Sequence, residues 1–228
     1  MKLTNNVRTR LCTLYRAAAV TLMMGAALPA TAGVVYTLNN GGGFLTTPGN
    51  YGSVTLTDIS GGVQVSVALA GTEFFANTGS GPMFSFNLDA TPTSVGNFSR
   101  GNGQSFSAFT PGGRANPFGT FTWGISCSTC GSGTSLPIDT APFVFEVMGA
   151  SLTTADFALT STAPPRGYTP AYFAADICSG VTDSGCTSTG QVGATGPGTP
   201  TNVPEPAALG MMGMALVGTA LARKMRRK

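Results

Sequence analysis

The side chains that could do chemistry in this chain are a small set of cysteines and carboxylates. Among 228 residues there are five cysteines and nine acids, and there is no histidine. A chain without histidine lacks the commonest general base and the commonest metal ligand, so Ser-His-Asp and Cys-His nucleophilic machinery is excluded. We therefore expect a protein that is not an enzyme, with no catalytic residue, no cofactor and no metal site.

Four of the cysteines, Cys127, Cys130, Cys178 and Cys186, lie in the central part of the chain. Cys127 and Cys130 have the spacing of a redox motif, but a Gly-Ser-Gly stretch follows where a thioredoxin-like site would open a helix. Zinc knuckles have tighter spacing than the seven residues between Cys178 and Cys186. If the chain is exported, as its N-terminal segment predicts below, an even number of cysteines most often means disulfides. Proximity favours Cys127–Cys130 and Cys178–Cys186 over the two other connectivities.

Paired carboxylates are the remaining route to catalysis, as in glycoside hydrolases. Asp139, Glu146 and Asp176 are the candidates, although a solvated strand edge or a turn is the favoured role for each. If the region instead binds carbohydrate, Trp123 and Tyr172 are the candidates for stacking on a sugar, although core packing is favoured for Trp123. A pair of acids about 5–10 Å apart in a cleft would indicate the hydrolase, and a flat exposed aromatic strip would indicate binding.

The elements that must position these residues have the pattern of β-strands. Apolar residues alternate with polar or small ones in several short stretches, which is the period of a half-buried strand. The clearest rows are Val63, Val65, Val67 and Leu69; Phe84, Phe86 and Leu88; Phe121, Trp123 and Ile125; and Phe143, Phe145 and Val147. Glycine- and proline-rich turns separate the rows. This pattern predicts one all-β domain over 33–195, a single antiparallel β-sandwich of jelly-roll type.

The N-terminal 32 residues are typical of a signal peptide. Four cations, Lys2, Arg8, Arg10 and Arg16, precede an uncharged run over 17–28. Ala30 and Ala32 then give a small-x-small cleavage site before Gly33. We therefore predict export and cleavage at this position.

The C-terminal segment 203–228 has three parts in a fixed order. Val203-Pro204-Glu205-Pro206 comes first, then an uncharged run over 207–222, then a basic tail. A helix over 207–222 spans about 24 Å at ~1.5 Å per residue, a little short of the roughly 30 Å hydrocarbon core of a membrane. The tail consists of Arg223, Lys224, Met225, Arg226, Arg227 and Lys228. Its five cations should remain on the cytoplasmic side, as a stop-transfer signal.

These three parts closely resemble the PEP-CTERM sorting signal of exported bacterial proteins. The resemblance implies that an exosortase recognises the motif, removes the tail and passes the protein towards the cell surface. The same C-terminal region is also known as an ice-binding protein C-terminal domain, a description of the signal that implies no ice binding. The stretch 196–202, rich in glycine, proline and threonine, is predicted as a flexible spacer before the signal.

Charge separates the predicted body from its signals. The whole chain has a net charge of +3, but nine of its twelve cations lie in the two terminal segments. Between 33 and 202 three arginines and eight acids leave a net charge of −5. This region has no basic face for phosphates, so nucleic acid is excluded as a partner.

Together these features predict an exported cell-envelope or surface protein. Its precursor is expected in the inner membrane with the body in the periplasm, and the processed form at the outer surface or in the extracellular matrix. The resemblance implies a structural or matrix-associated role, with exopolysaccharide or biofilm as its setting. A carbohydrate-binding module and a carboxylate-based carbohydrate hydrolase are the alternatives.

Overall fold

Short strands separated by turns make up most of the regular structure in this computed structural model, which describes residues 33–45, 48–78, 81–99, 105–128, 141–182 and 185–201. A 3₁₀ helix, Thr154–Phe157, lies among them. The strands are β1 (Gly33–Leu38), β2 (Asn40–Gly41), β3 (Gly52–Ile59), β4 (Gly62–Leu69), β5 (Glu73–Phe75), β6 (Phe84–Phe86), β7 (Ser94–Ser99), β8 (Phe106–Phe109), β9 (Gly113–Ala115), β10 (Gly119–Phe121), β11 (Trp123–Cys127), β12 (Phe143–Met148), β13 (Phe173–Thr182), β14 (Gly185–Ala194) and β15 (Thr199–Thr201).

The strands form two large sheets and one small one. The first sheet has the order β15-β1-β3-β4-β12-β7. The second has the order β2-β14-β13-β6-β11-β8, with β5 also paired to β13, and β9 pairs with β10 separately. The pairings are antiparallel. The all-β antiparallel class predicted from the sequence is confirmed, while the jelly-roll connectivity stays a prediction.

The main hydrophobic core is formed by residues of both large sheets. The predicted alternation appears in β4 and β12, whose fully buried residues are Val63, Val65, Val67, Phe143, Phe145 and Val147. From the second sheet, Phe84 and Phe86 place their ring centroids 5.9 and 5.6 Å from that of Phe145. Aromatic pairs at such distances contribute about 0.5–1.5 kcal/mol each beyond the area they bury. The inward faces of the two sheets are therefore in direct contact.

Two smaller clusters cover the other face of the second sheet. One contains Ala115, Phe118, Phe121, Ala171 and Ala174, and the other contains Phe74, Ala76 and Cys178. Successive strand residues point to opposite faces, so polar residues between the inward-facing ones of β13 and β14 lie on this covered side. Asp176 and Gln191 are buried there, with 0% and 3% of their surfaces exposed.

The row Phe121, Trp123 and Ile125 does not form a single strand. Phe121 ends β10 in the small sheet, whereas Trp123 begins β11 in the second large sheet. Between them, Thr122 donates its N–H to Asn87 Oδ1 at 2.8 Å and accepts from the Gly112 N–H at 2.9 Å. Phe121 consequently packs in an outer cluster and Ile125 in the main core.

The segment 196–202, predicted as a flexible spacer, contains β15. This strand pairs with β1, and Gly33 lies opposite Thr201. Thr201 Oγ1 accepts a hydrogen bond from the Gly33 N–H at 3.1 Å and donates to the Gly33 carbonyl oxygen at 2.9 Å. A proline such as Pro200 is tolerated because β15 is an edge strand. Pairing with β1 therefore makes residues 199–201 a strand, although their composition predicts a flexible spacer.

The predicted signal peptide and the predicted membrane segment 207–222 lie outside the described residues. Within the described ranges, no helix is long and apolar enough to cross a membrane.

Candidate functional site

The residues predicted to direct export and sorting fall almost entirely outside the described ranges. These are Ala30 and Ala32, the motif Val203, Pro204, Glu205 and Pro206, and the tail cations Arg223, Lys224, Arg226, Arg227 and Lys228. Gly33 is described, and it is the first residue of β1. The predicted cleavage position therefore precedes a residue that is held by Thr201 of the last described strand.

The disulfide predicted between Cys178 and Cys186 is present. It joins β13 to β14 with a Cα–Cα distance of 5.5 Å. Cys178 is fully buried against Phe74 and Ala76, and Cys186 packs against the same cluster while remaining partly exposed. Cys127 is also disulfide-bonded. Cys130 lies outside the described residues, so the pairing Cys127–Cys130 stays a prediction.

The carboxylates that were candidates for a hydrolytic pair, Glu146 and Asp176, do not lie in the same sheet. Glu146 lies on β12 and Asp176 on β13, in different large sheets, and each points away from the core that the sheets share. Glu146 Oε2 accepts a hydrogen bond from Asn97 Nδ2 at 2.5 Å. Asp139 lies outside the described residues.

Two further acids hold the 3₁₀ helix Thr154–Phe157. Asp156 Oδ2 accepts from the Thr153 N–H at 2.7 Å, and Asp58 Oδ1 accepts from the Thr154 N–H at 2.8 Å. Both satisfy backbone donors that a helix start leaves without partners. These carboxylates have structural roles.

Asp176 has the most buried environment of the described acids. Its Oδ2 accepts hydrogen bonds from the N–H and the hydroxyl of Thr78, both at 2.7 Å. Its Oδ1 has no hydrogen-bond partner among the described residues. Burial raises the pKa of this carboxyl above its ordinary value, and the two hydrogen bonds from Thr78 act in the opposite direction. Asp176 thereby anchors the segment at Thr78 to β13.

Glu73 lies on β5, opposite Ser179 of β13. Its Oε1 accepts from Ser179 Oγ at 3.0 Å, and burial raises the pKa of this carboxyl too. Ser179 is three residues from Asp176, so their side chains lie on opposite faces of the sheet. Glu73 and Asp176 therefore do not share a cleft. No group of three histidine, cysteine or acidic residues placed to hold a metal ion occurs in the described part of the chain.

The aromatic residues proposed for sugar stacking pack against the core. Trp123 is half-buried and stacks on Phe86 with a centroid distance of 6.3 Å. Tyr172 lies against Tyr36 at 5.3 Å and is also half-buried. They do not form an exposed strip. Within the described ranges the exposed large apolar side chains are Phe44, Phe109, Leu159 and Tyr168.

Two of those exposed rings, Phe44 and Tyr168, lie at a cleft that sequence reasoning did not predict. It consists of two cavities of about 640 and 530 Å³ that share Gly43 and Tyr168, and we call it the Tyr168 cleft. The first is lined by Asn40, Leu45, Phe118 and Thr195 among others. The second is lined by Phe44, Thr78, Asn116, Thr189 and Gln191 among others.

The walls of the cleft are loops that meet over β14. The Gly42 N–H donates to the Gln191 carbonyl oxygen at 2.8 Å. A Cβ at Gly190 would lie 2.2 Å from the Gly42 oxygen, so glycine is needed for this close approach. A Cβ at Gly42 would likewise lie 2.2 Å from Pro117 Cδ. The loops 42–45 and 116–117 are therefore packed closely together beside β14.

Gln191 lies beneath the second cavity, directly opposite Asp176 on the neighbouring strand. Only 3% of its surface is exposed, and neither its amide oxygen nor its amide nitrogen has a hydrogen-bond partner in the described ranges. A buried amide without partners costs about 1–3 kcal/mol per group. Two buried polar atoms without described partners therefore lie beneath the cleft.

Comparison with known proteins identifies the C-terminal segment. The family model of the PEP-CTERM protein-sorting motif matches residues 202–227. No curated protein and no solved structure matches the chain. The chain thus carries a PEP-CTERM sorting motif, and this motif indicates a protein that is exported and targeted to an exosortase at the membrane.

Only weak signals in the sequence point to the cleft. Tyr168 follows Pro164, Pro165 and Gly167, a turn signal that places it in a loop but does not say what the loop faces. Val192 and Ala194 lie two residues apart and predict one apolar face of a strand. Gln191 is adjacent to Val192, so the pattern places it on the opposite face, away from the main core. The cover over that face comes from distant loops, so its burial was not predictable from the pattern.

Proposed function

We propose that this chain is the precursor of a non-enzymatic protein of the bacterial cell surface or its matrix. In this proposal residues 1–32 direct export, and the segment 207–222 holds the precursor in the inner membrane with the basic tail in the cytoplasm. The body lies in the periplasm until an exosortase acts at the motif around Pro204-Glu205-Pro206. The observation that carries the proposal is the sorting motif at 202–227, placed directly after a β-structured body.

The hydrogen bonds of the body support a structural role. The described acids Asp58, Asp156 and Asp176 accept hydrogen bonds from backbone N–H groups, and Glu73 and Glu146 accept from neighbouring side chains. Carboxylates used in this way hold neighbouring segments of the chain together, which supports a structural role for the body.

The architecture suits a protein that is attached at one point and then released into a matrix. The first and last described strands, β1 and β15, are paired, so the chain enters and leaves the body at one edge of the first sheet. Two sheets around a common core, which we take as a sandwich of jelly-roll type, would make a body that needs no partner to fold. Its setting is proposed to be exopolysaccharide or biofilm.

The proposal is tested by comparing the ends of the exported protein with those of the gene product. Mass spectrometry of protein recovered from the cell surface or medium is expected to show an N-terminus at or near Gly33 and no peptide beyond the Pro204-Glu205-Pro206 region. In a strain without exosortase the protein should remain in the membrane fraction with its tail intact. Recovery of surface protein that still contains the tail would contradict the proposed processing.

A variant of the basic tail tests whether the tail retains the precursor in the membrane. Moving a lysine or arginine to the bilayer centre costs roughly 2.5–3.5 kcal/mol, so five cations together should stop translocation. Replacing Arg223, Lys224, Arg226, Arg227 and Lys228 by glutamine is expected to release unprocessed precursor without membrane retention. If this variant is retained and trimmed like the wild type, the basic tail is not the stop signal.

A further inference from the structure

The Tyr168 cleft is lined by uncharged residues throughout its described surface. The amide of Asn116 and the hydroxyl of Thr189 supply both hydrogen-bond donors and acceptors. In the first cavity Asn40 Nδ2 already donates to Thr195 Oγ1 and Asn39 Oδ1, so the Asn40 amide oxygen and the Thr195 hydroxyl hydrogen are the groups left for a ligand. With no lysine or arginine in its lining, the cleft has no partner for a phosphate, sulfate or carboxylate. The net charge of −5 for residues 33–202 further disfavours a polyanion. A ligand that fits this lining is neutral and rich in hydroxyl groups.

Two aromatic rings stand at the cleft with large exposed surfaces. Tyr168 is 48% exposed and borders both cavities, while Phe44 is 85% exposed and borders the second. Pyranose rings have one apolar C–H face and a rim of hydroxyls. An exposed aromatic ring beside amides and hydroxyls matches that combination, because the ring covers the C–H face and the polar groups bond the rim.

The floor of the second cavity adds an independent observation. Gln191 is 3% exposed, and both polar atoms of its amide are buried without partners among the described residues. A sugar hydroxyl, which both donates and accepts, would satisfy either atom once the side chain turns towards the cavity. Thr78, on the rim of the same cavity, is held in place by its two hydrogen bonds to Asp176. The polar part of the cleft is therefore preorganised by buried contacts.

We propose that the Tyr168 cleft binds a neutral polysaccharide, with Tyr168 stacking on a sugar ring and Asn116 and Thr189 forming hydrogen bonds with its hydroxyls. This inference rests on the proposed function, because the extracellular matrix would be the source of the polysaccharide. It assigns sugar contact to Tyr168 and Phe44 in place of Trp123 and Tyr172, which pack against the core.

Affinity electrophoresis of the mature exported protein tests the proposal. Native gels would contain barley β-glucan, amylopectin, galactomannan or xylan as neutral probes, and alginate as an anionic probe. We expect retardation by at least one neutral polymer and none by alginate. The proposal is overturned if none of the four neutral polymers retards the protein, or if alginate alone does.

Variants then locate the site. Tyr168→Ala should weaken retardation by roughly tenfold or more, whereas Tyr168→Phe keeps the ring and should lose no more than about threefold. Phe109→Ala is the matched control, since Phe109 is 37% exposed and lies on β8, at the far edge of the second sheet from β2 and β14. Equal retardation of Tyr168→Ala and the wild type would overturn the assignment of the site.

Failure of the cleft proposal can be distinguished from failure of the proposed function. Exosortase processing and surface location are measured on cells without reference to any sugar. A protein that is processed and surface-located but binds no neutral polymer would refute the cleft proposal alone. A protein that binds a neutral polymer through Tyr168 but keeps its tail would refute the processing proposal alone.

Discussion

The disulfide Cys178–Cys186 allows a prediction whose size follows from the structure. It closes a short loop, with a sequence separation of 8. In the chain-entropy relation, a loop of that length removes about 8 cal/mol/K from the unfolded chain, or about 2.5 kcal/mol at 25 °C. Cys178→Ala with Cys186→Ala should therefore lower the free energy of unfolding by about 2.5 kcal/mol, plus a smaller term for lost packing.

The two single variants separate these two contributions. Each removes the cross-link, so both should lose the same entropic term. Cys178 is fully buried against Phe74 and Ala76, whereas Cys186 is partly exposed. Cys178→Ala should therefore be the more destabilising of the two, because it alone leaves a cavity in this cluster.

Urea denaturation of the exported protein, followed by tryptophan fluorescence, measures these losses. With a slope of about 2 kcal/mol/M, the loss of the cross-link should lower the midpoint by about 1 M. A loss below about 1 kcal/mol in the double variant would refute the loop-closure argument, since the unfolded chain would then gain little conformational entropy when the cross-link is removed. Equal losses in the two single variants would refute the packing term.

Two further predictions concern the covered face and the core. The native pKa of Asp176 is raised above the ordinary value of 3.8, so the stabilising contribution of this carboxyl is complete below that value and is lost as the pH rises through the native pKa. Asp176→Asn does not titrate and should therefore gain stability relative to the wild type as the pH rises from 3.8 through the native pKa of Asp176. A stability difference between the two proteins that does not change with pH in urea denaturation would contradict the raised pKa. Phe145→Ala should cost about 3–5 kcal/mol because the ring is fully buried between the sheets, whereas Glu146→Ala, on the opposite face of β12, should cost less than about 1 kcal/mol. Similar losses for these two neighbours in urea denaturation would show that β12 does not bury one face against the second sheet.

The sorting motif concerns the export of the protein, whereas the cleft concerns the body after export. The motif at 202–227 indicates where the protein is sent, and it contains no information on what the body does there. The Tyr168 cleft is built from loops of the body, at the edge of the second sheet formed by β2 and β14. Function carried on loops over a rigid sheet is a common arrangement, because loops can vary without disturbing the core.

The sequence by itself determined the features that depend only on residues close together along the chain. The alternation of Val63, Val65 and Val67 predicted a half-buried strand, since the two faces of a strand follow from a period of two residues. The Cys178–Cys186 disulfide followed from closeness along the chain. The sorting motif could be recognised because its parts are contiguous and act in a fixed order.

Only the tertiary structure decided which distant segments meet. Alternation indicates that Asp176 and Gln191 point away from the core, but it does not indicate that other segments bury them. The pairing of Gly33 with Thr201 spans 168 residues, and its strand occurs in a glycine- and proline-rich segment that has no strand pattern of its own. The cleft joins residues from 40 to 195. Such contacts depend on the packing of two sheets and their loops, which a local pattern does not encode.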